Sequence, residues 1–167
     1  DDGLVGEYTS IALDHQDEPH IAYNDDSNSQ LRYASLVGGN WTFKAIDEEG
    51  DYASIAIDRD NRAHFAYYDT SDKNLRYLSG SGPSVVVVDG SMQQYRGGIA
   101  MKLDSNAVPH FAYENVNSAG PVSKGLTYAT LNVTATAETG VDVWDTQTVA
   151  TIGSGDASNA FGQGISL

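Results

Sequence analysis

Short apolar runs alternate with polar residues along most of the chain, and turn-forming residues separate the runs. Apolar residues alternate with polar ones in Trp41–Ala45, for example, and a run of four valines spans Val85–Val88. A period of two is typical of a strand with one buried face. Clusters such as Val37–Asn40 and Asp47–Gly50 favour turns between the runs. No segment has a convincing helical period, so the pattern predicts an all-β chain.

The runs belong to an internal repeat. Residues 7–35 align without a gap to residues 51–79, with 14 of 29 positions identical. A third, looser copy retains the isoleucine, histidine and tyrosine of this pattern as Ile99, His110 and Tyr128. Each copy holds four strand-like runs in about 44 residues, the length of one propeller blade.

The repeat therefore predicts a β-propeller-type fold with three four-stranded antiparallel blades and the first strand of a fourth. The predicted boundaries are about 7–50 for blade 1, about 51–94 for blade 2, about 95–160 for blade 3 and 161–167 for the extra strand.

The repeated motifs also resemble a known family. Ser-Ile-Ala-Leu-Asp at 10–14, Pro-His-Ile-Ala-Tyr at 19–23 and Leu-Arg-Tyr-Ala at 31–34 are similar to blades of bacterial cell-surface β-propellers. They are more loosely similar to sialidase-type (BNR or Asp-box) propellers, although the Asp-box Ser-x-Asp-x-Gly-x-Thr-Trp is absent. The resemblance implies a secreted or cell-surface protein of a bacterium. It discriminates poorly between functions, because propellers carry lectins, adhesins, hydrolases and scaffolds.

Three blades are too few to close a ring. Propellers typically contain 4–8 blades, and an open arc would expose two apolar blade faces. We expect the chain to be closed by oligomerisation, as a trimer or a dimer. The alternative is that the chain is a fragment of a longer array.

The charge narrows the choice of partners. The chain has 23 acidic and 9 basic residues, a net charge of −14, and no cysteine. Such a charge disfavours nucleic acids and anionic lipid surfaces. The lack of cysteine excludes disulfides and thiolate chemistry. No apolar run has the length of a membrane span, so membrane insertion is not expected.

Some polar residues recur in every copy, which indicates a structural role. We expect the histidines to satisfy backbone groups between blades rather than to bind metal, and the aspartates to fix the turn after each first strand. These residues are His20, His64 and His110, with Asp14, Asp58 and Asp104. No cofactor or metal is expected. Calcium at the oxygen-rich loops 24–28 and 69–72 is the alternative to ordinary Asx turns.

No catalytic residues are predicted. Glycoside hydrolysis needs two carboxylates at one unique place, whereas most carboxylates here recur with the blades. A sialidase-like site also needs clustered arginines, and the chain has only five. Nucleophile-elbow, phosphate-loop and His-Glu-x-x-His motifs are absent.

Binding is the class of function that the sequence favours. Loops after second and fourth strands share one rim, where aromatic residues lie beside Asp and Asn, a combination that suits a sugar. Tyr8, Tyr52 and Tyr95 precede first strands there, although such tyrosines could equally fill the seams between blades. The enlarged loop 115–125 and the segment 92–96 interrupt the repeat on the same rim. The predicted ligand-binding residues are Tyr52, Tyr68, Asp69, Gln94, Tyr95, Arg96, Asn115 and Asn117.

These observations predict a non-catalytic recognition or adhesion module that binds carbohydrate or another cell-surface structure, for instance at the tip of a fibre. Two alternatives remain open. One is a glycosidase-type or sialidase-like hydrolase, or a fragment of one, and the other is a structural spacer in a surface array.

Overall fold

In the computed structural model, three four-stranded antiparallel sheets follow one another along the chain. The structure describes residues 5–80, 85–90, 97–117 and 123–152. Strands that are neighbours in sequence are also neighbours in each sheet, so every sheet is one blade of the predicted propeller-type fold. The predicted fold class is therefore confirmed, while the predicted extra strand, 161–167, lies outside the described residues.

Each blade corresponds to one copy of the repeat. Blade 1 contains β1 (Val5–Leu13), β2 (Pro19–Asp25), β3 (Gln30–Val37) and β4 (Asn40–Glu48). Blade 2 contains β5 (Gly50–Ile57), β6 (Ala63–Asp69), β7 (Asn74–Leu78) and β8 (Val85–Asp89). Blade 3 contains β9 (Ile99–Leu103), β10 (Pro109–Asn117), β11 (Ser123–Leu131), helix α1 (Val133–Thr139) and β12 (Trp144–Ile152).

The hydrophobic core lies in the seams between successive blades. First strands of neighbouring blades contact each other, β1 with β5 and β5 with β9, so they form the inner side of the arc. The seam between blades 1 and 2 buries Ala22, Leu31, Ala53, Ile55, Phe65 and Tyr67. The seam between blades 2 and 3 buries Ala66, Tyr68, Leu75, Tyr77, Val88, Ile99, Met101, Phe111, Tyr113 and Ala129.

A repeated serine joins the inner strands of successive blades. The backbone N–H of Ile55 donates to Ser10 Oγ at 3.2 Å, and the N–H of Met101 donates to Ser54 Oγ at 3.1 Å. The second bond is buried and the first only partly so. Because a buried N–H needs a partner, the serine hydroxyl allows the blades to approach closely at the inner side.

Replacing Ser54 with alanine is expected to lower the free energy of unfolding by about 1–3 kcal/mol, since the buried N–H of Met101 then loses its acceptor. Ser10→Ala is the matched control, and we expect a smaller loss because that bond is more open to water. Urea unfolding followed by tryptophan fluorescence measures both. Indistinguishable losses for the two variants would contradict this explanation.

Helix α1 is a correction to the prediction that the chain contains no helix. The side chain of Asn132 caps its first turn by accepting from the N–H of Ala135 at 2.9 Å. Gly140 ends it in the left-handed region, with φ 70°, and its N–H donates to the Thr136 carbonyl. A helix of 7 residues is too short to show a hydrophobic period, so only the Asn and Gly at its ends could have indicated it. This described helix is also too short to cross a membrane.

The enlarged loop predicted at 115–125 is partly strand. β10 continues to Asn117 and β11 begins at Ser123, with Asn115 paired to Gly125 and Asn117 paired to Ser123. The insertion therefore lengthens a hairpin, because both of its arms extend the antiparallel ladder. Residues 118–122 lie outside the described residues.

Candidate functional site

Each blade contains the same His–Tyr pair, and in blades 1 and 2 the repeated aspartate lies beside the histidine. In blade 2 the Tyr77 hydroxyl lies 2.6 Å from His64 Nδ1, and His64 Nε2 lies 3.1 Å from Asp58 Oδ2. A carboxylate only accepts, so Nε2 donates to Asp58 and, in a neutral ring, Nδ1 accepts from the tyrosine. Burial raises the pKa of Tyr77 to about 12, which keeps its hydroxyl protonated as the donor.

The equivalent units are His20 with Tyr33, and His110 with Tyr128 at 2.6 Å. The structural role predicted for the histidines is thus supported, but the predicted partners were wrong. The imidazoles bond side chains of their own blade instead of backbone groups between blades, since the histidine at the start of the second strand faces the tyrosine of the third. A histidine–tyrosine pair that recurs in every blade serves the fold rather than one reaction site.

The repeated aspartates hold the turns, as predicted. Asp58 Oδ1 accepts from the N–H groups of Asp60 and Arg62 at 2.8 and 2.9 Å. Asp14 and Asp104 accept in the same way from backbone N–H groups two and four residues further on. These bonds fix the first hairpin of each blade.

The rim that was predicted to bind a ligand carries a polar network at the seam of blades 1 and 2. The Tyr67 hydroxyl of blade 2 donates to Asp47 of blade 1. Arg76 donates to the same carboxylate at 3.3 Å and pairs with Asp69 at 2.5 Å. Burial and the Asp47 carboxylate raise the pKa of Tyr67, so it remains a hydrogen-bond donor. The carboxylates of this network thus have partners within the fold.

Two of the predicted ligand residues, Tyr68 and Asp69, are buried on this rim. Tyr68 packs in the seam of blades 2 and 3. Asp69 Oδ1 accepts from the N–H groups of Ser71 and Asp72, both at 2.8 Å. Burial acts to raise the pKa of Asp69, but these bonds and the charge of Arg76 lower it overall. Because both side chains are buried, Tyr68 and Asp69 present almost no surface to a ligand.

A related network lies at the seam of blades 2 and 3 and includes the predicted residue Asn115. The Tyr113 hydroxyl donates to Asp89 Oδ2 at 2.8 Å, and Asn115 Nδ2 donates to the same oxygen at 2.9 Å. Asn117, also predicted, lies at the end of β10. The other three predicted residues, Gln94, Tyr95 and Arg96, lie outside the described residues.

The remaining predicted residue, Tyr52, forms an aromatic pair with Tyr8. Their ring centroids are 4.2 Å apart with an interplanar angle of 41°. Each residue lies at an irregularity in the first strand of its blade and adopts a left-handed backbone, with φ 48° for Tyr8 and 52° for Tyr52. Tyr52 packs partly against the seam, whereas Tyr8 is 46% exposed. Because non-glycine residues rarely adopt this conformation, the fold holds both rings at some cost in backbone strain.

Two polar side chains lie next to Tyr52, whose backbone N–H donates to Asp51 Oδ1 at 3.1 Å. Asn24 Nδ2 donates to the Gly50 carbonyl at 3.1 Å and to Asp51 Oδ1 at 2.9 Å, which links blade 1 to blade 2. Within the described part of the chain, the buried Oδ1 of Asn24 has no hydrogen-bond partner. Burial is the main cause of the raised pKa of Asp51, and the carboxylates of Glu7 and Asp26 raise it further. The result is an aromatic pair, exposed at Tyr8, beside a partly buried carboxylate and an amide.

Sequence reasoning singled out Tyr52 but missed Asp51 as a partner of Asn24. The two residues are 27 positions apart and belong to different blades, so only the seam brings them together. A concave region of about 310 Å³ lies at the opposite rim among the first hairpins and is lined by residues including His15, Arg59, Asp104 and Ser105. No group of three or more metal-ligating side chains is found in the described ranges.

Comparisons with known proteins assign no family to the chain. No protein-family model matches the sequence, and no curated protein matches it with significant similarity. The structure is similar to a fucose lectin from Kordia zhangzhouensis, solved in complex with methyl-fucoside, with a TM-score of 0.46. The sequence identity is 17%, over 71% of this chain and 90% of the lectin chain. At that score and identity, the similarity supports no inference about function.

Proposed function

We propose that the chain is a non-catalytic carbohydrate-recognition module and that its ligand binds at the Tyr8–Tyr52 pair. The observation that carries the proposal is the aromatic pair of exposed Tyr8 and partly buried Tyr52, held in left-handed backbone conformations beside Asp51. Strained backbone conformations of this kind cluster at functional sites, ligand sites among them.

The chemistry of these side chains suits a sugar. The C–H face of a pyranose is apolar and packs against an aromatic ring, while its hydroxyls need hydrogen-bond partners at the edge. Tyr8 offers the exposed ring. Asp51, which is only partly buried, offers a carboxylate as the acceptor for hydroxyl protons.

The charge around the pair selects among sugars. Glu7 and Asp26 act on Asp51 as like charges, and the whole chain carries a net charge of −14. A sialylated or sulfated glycan would bring a further negative charge into this field. We therefore assign neutral sugars as the ligand class.

The bonds of two rim carboxylates, Asp47 and Asp89, favour binding over hydrolysis at the seams. A glycosidase needs two carboxylates free to act on one bond. Asp47 is bonded to Tyr67 and Arg76, and Asp89 is bonded to Tyr113 and Asn115. Both carboxylates bond residues of the neighbouring blade, so their oxygens already serve the contact between blades.

Replacing Tyr8 with alanine is expected to weaken binding of a neutral saccharide by about tenfold or more, because the stacking surface is lost. A panel of neutral, sialylated and sulfated glycans first identifies the ligand. Isothermal titration with the free, monovalent sugar then compares the variant with the wild type. Val133→Ala is the control, since Val133 is 52% exposed but lies in helix α1, away from the Tyr8–Tyr52 pair.

The control variant should bind the sugar with unchanged affinity. Absence of any glycan binding, or equal binding by the Tyr8 variant, would refute the proposed site. A preference for anionic glycans would contradict the assignment of the ligand class. Release of reducing sugar during incubation would identify the chain as a hydrolase instead.

A further inference from the structure

Each blade presents two chemically different faces, and both described seams join them in the same sense. The leading face is defined here as the face that packs on the preceding blade, through Phe65 in blade 2 and Phe111 in blade 3. The trailing face packs on the following blade, through Tyr33 in blade 1 and Tyr77 in blade 2. The Tyr33–Phe65 and Tyr77–Phe111 ring centroids lie 5.3 and 5.8 Å apart, both edge to face.

Blade 1 exposes a large apolar leading face. Ile11 is 64% exposed and Phe43 is 61% exposed, and Leu13 and Trp41 are also exposed. The equivalent of Ile11 in blade 2, Ile55, is buried by blade 1. The face of blade 1 is thus built like that of blade 2, but no described residue covers it.

The strand register relates Trp41 on the leading face of blade 1 to Trp144 of blade 3, which contacts the preceding blade. Trp41 pairs with Leu36, and Trp144 of blade 3 pairs with the equivalent residue, Leu131. Trp144 packs edge to face on Tyr77 of the preceding blade, with centroids 5.7 Å apart. Trp41 therefore occupies the position from which a tryptophan contacts the trailing face of a preceding blade.

The matching trailing face of blade 3 is only partly buried in the described part of the chain. Tyr128 is the equivalent of Tyr77 and keeps its bond to the histidine of the same blade. Leu31 and Leu75 are completely buried in blades 1 and 2, whereas their equivalent, Leu126, is only half-buried. The leading face of blade 1 and the trailing face of blade 3 therefore match each other in the way that the two faces of an internal seam do.

We propose that the leading face of blade 1 packs on the trailing face of blade 3 in a second copy of the chain. With the three described blades of each chain, two chains joined in this way form a closed ring of six blades, within the typical range of 4–8, whereas three chains would form nine. Both contacts of the ring are head-to-tail and identical, so the assembly is a closed dimer. The proposal is independent of the sugar site.

One position makes the seam between chains weaker than the seams within a chain. Leu31 pairs with Asp47 and Leu75 with Asp89, but Leu126 pairs with Ala150. The aspartates accept from Tyr67 and Tyr113, and the equivalent tyrosine of blade 1 is Tyr23. Between chains, Tyr23 would meet an alanine, so the dimer lacks this hydrogen bond.

The experiment measures molar mass by light scattering and dissociation by sedimentation across a range of protein concentrations. The wild type is expected at twice 17.8 kDa at high concentration and to dissociate on dilution. Ile11→Asp should give a folded monomer, because Ile11 is exposed within a single chain. Val141→Asp is the control, an equally exposed valine that lies outside every strand, and it should dimerise as the wild type does.

A gain-of-function variant tests the geometry. Ala150→Asp is expected to tighten the dimer by about tenfold, since it supplies the acceptor for Tyr23, and adding Tyr23→Phe should remove the gain. A wild type that stays monomeric at every concentration would overturn the proposal. Dimers of Ile11→Asp with wild-type affinity would overturn it as well, because the contact would then use other surfaces.

Discussion

Replacing Asp58 with alanine is expected to lower the free energy of unfolding by about 3–5 kcal/mol, one of the two largest effects of a single substitution in this chain. The buried carboxylate of Asp58 accepts from two backbone N–H groups, from Arg62 Nε at 2.8 Å and from His64 Nε2 at 3.1 Å. Its loss leaves a buried imidazole and two turn amides without their acceptor. Denaturant unfolding of the purified variant measures the change.

Asp60→Ala is the control, because Asp60 contacts the same arginine but is largely exposed. We expect it to change the free energy of unfolding by less than about 1 kcal/mol. Similar effects of the two substitutions would contradict the role assigned to the buried unit.

The same carboxylate makes stability depend on pH. Burial by itself would raise the pKa of Asp58, but the bonds from Arg62 and His64 outweigh burial and hold the pKa well below its usual value. A lowered pKa in the folded state stabilises the fold above the unfolded pKa of 3.8. That contribution is lost as pH falls below 3.8 toward the folded value. The wild type should therefore lose stability in acid more steeply than the Asp58 variant.

Replacing Phe111 with alanine is expected to lower the free energy of unfolding by about 3–5 kcal/mol. Phe111 is completely buried and packs against Tyr77 of blade 2 and Trp144 of its own blade. Truncation leaves a cavity between two blades, where rigid sheets limit how far the walls can collapse. Urea unfolding measures the loss of stability. Because Trp144 lies beside the cavity, the fluorescence of the folded variant should also differ from that of the wild type.

Phe43→Ala removes the same side chain from an exposed position in blade 1 and serves as the control. It should change the stability of the monomer by less than about 0.5 kcal/mol. Measurement at low protein concentration separates this effect from any loss of association between chains. A loss for Phe111→Ala no larger than that for Phe43→Ala would show that the seam tolerates the cavity.

Much of the fold follows from the sequence because the repeat and the period of two are local signals. Four strand-like runs in each copy indicated the blades, and an aspartate after each first strand indicated the hairpin turns. The short helix α1 was missed, because seven residues between two strands show no period and only Asn132 and Gly140 mark its ends.

The candidate site was only partly predictable. Asn24 and Tyr68 occupy the same position of the repeat, yet Asn24 bonds Asp51 across a seam while Tyr68 is buried in the next seam. Tyr8 and Tyr52 are likewise equivalent, but Tyr52 packs partly against a seam and Tyr8 is exposed.

The sequence by itself determined the number of blades, the face of each strand that is apolar and the residues that close the turns. All three depend on contacts between residues close together in the chain. The tertiary structure alone decided which equivalent residues are buried, which carboxylates are already bonded and which polar groups meet across a seam. Those outcomes depend on the blade that packs alongside, and the alternation of residues within one strand carries no information about that neighbour.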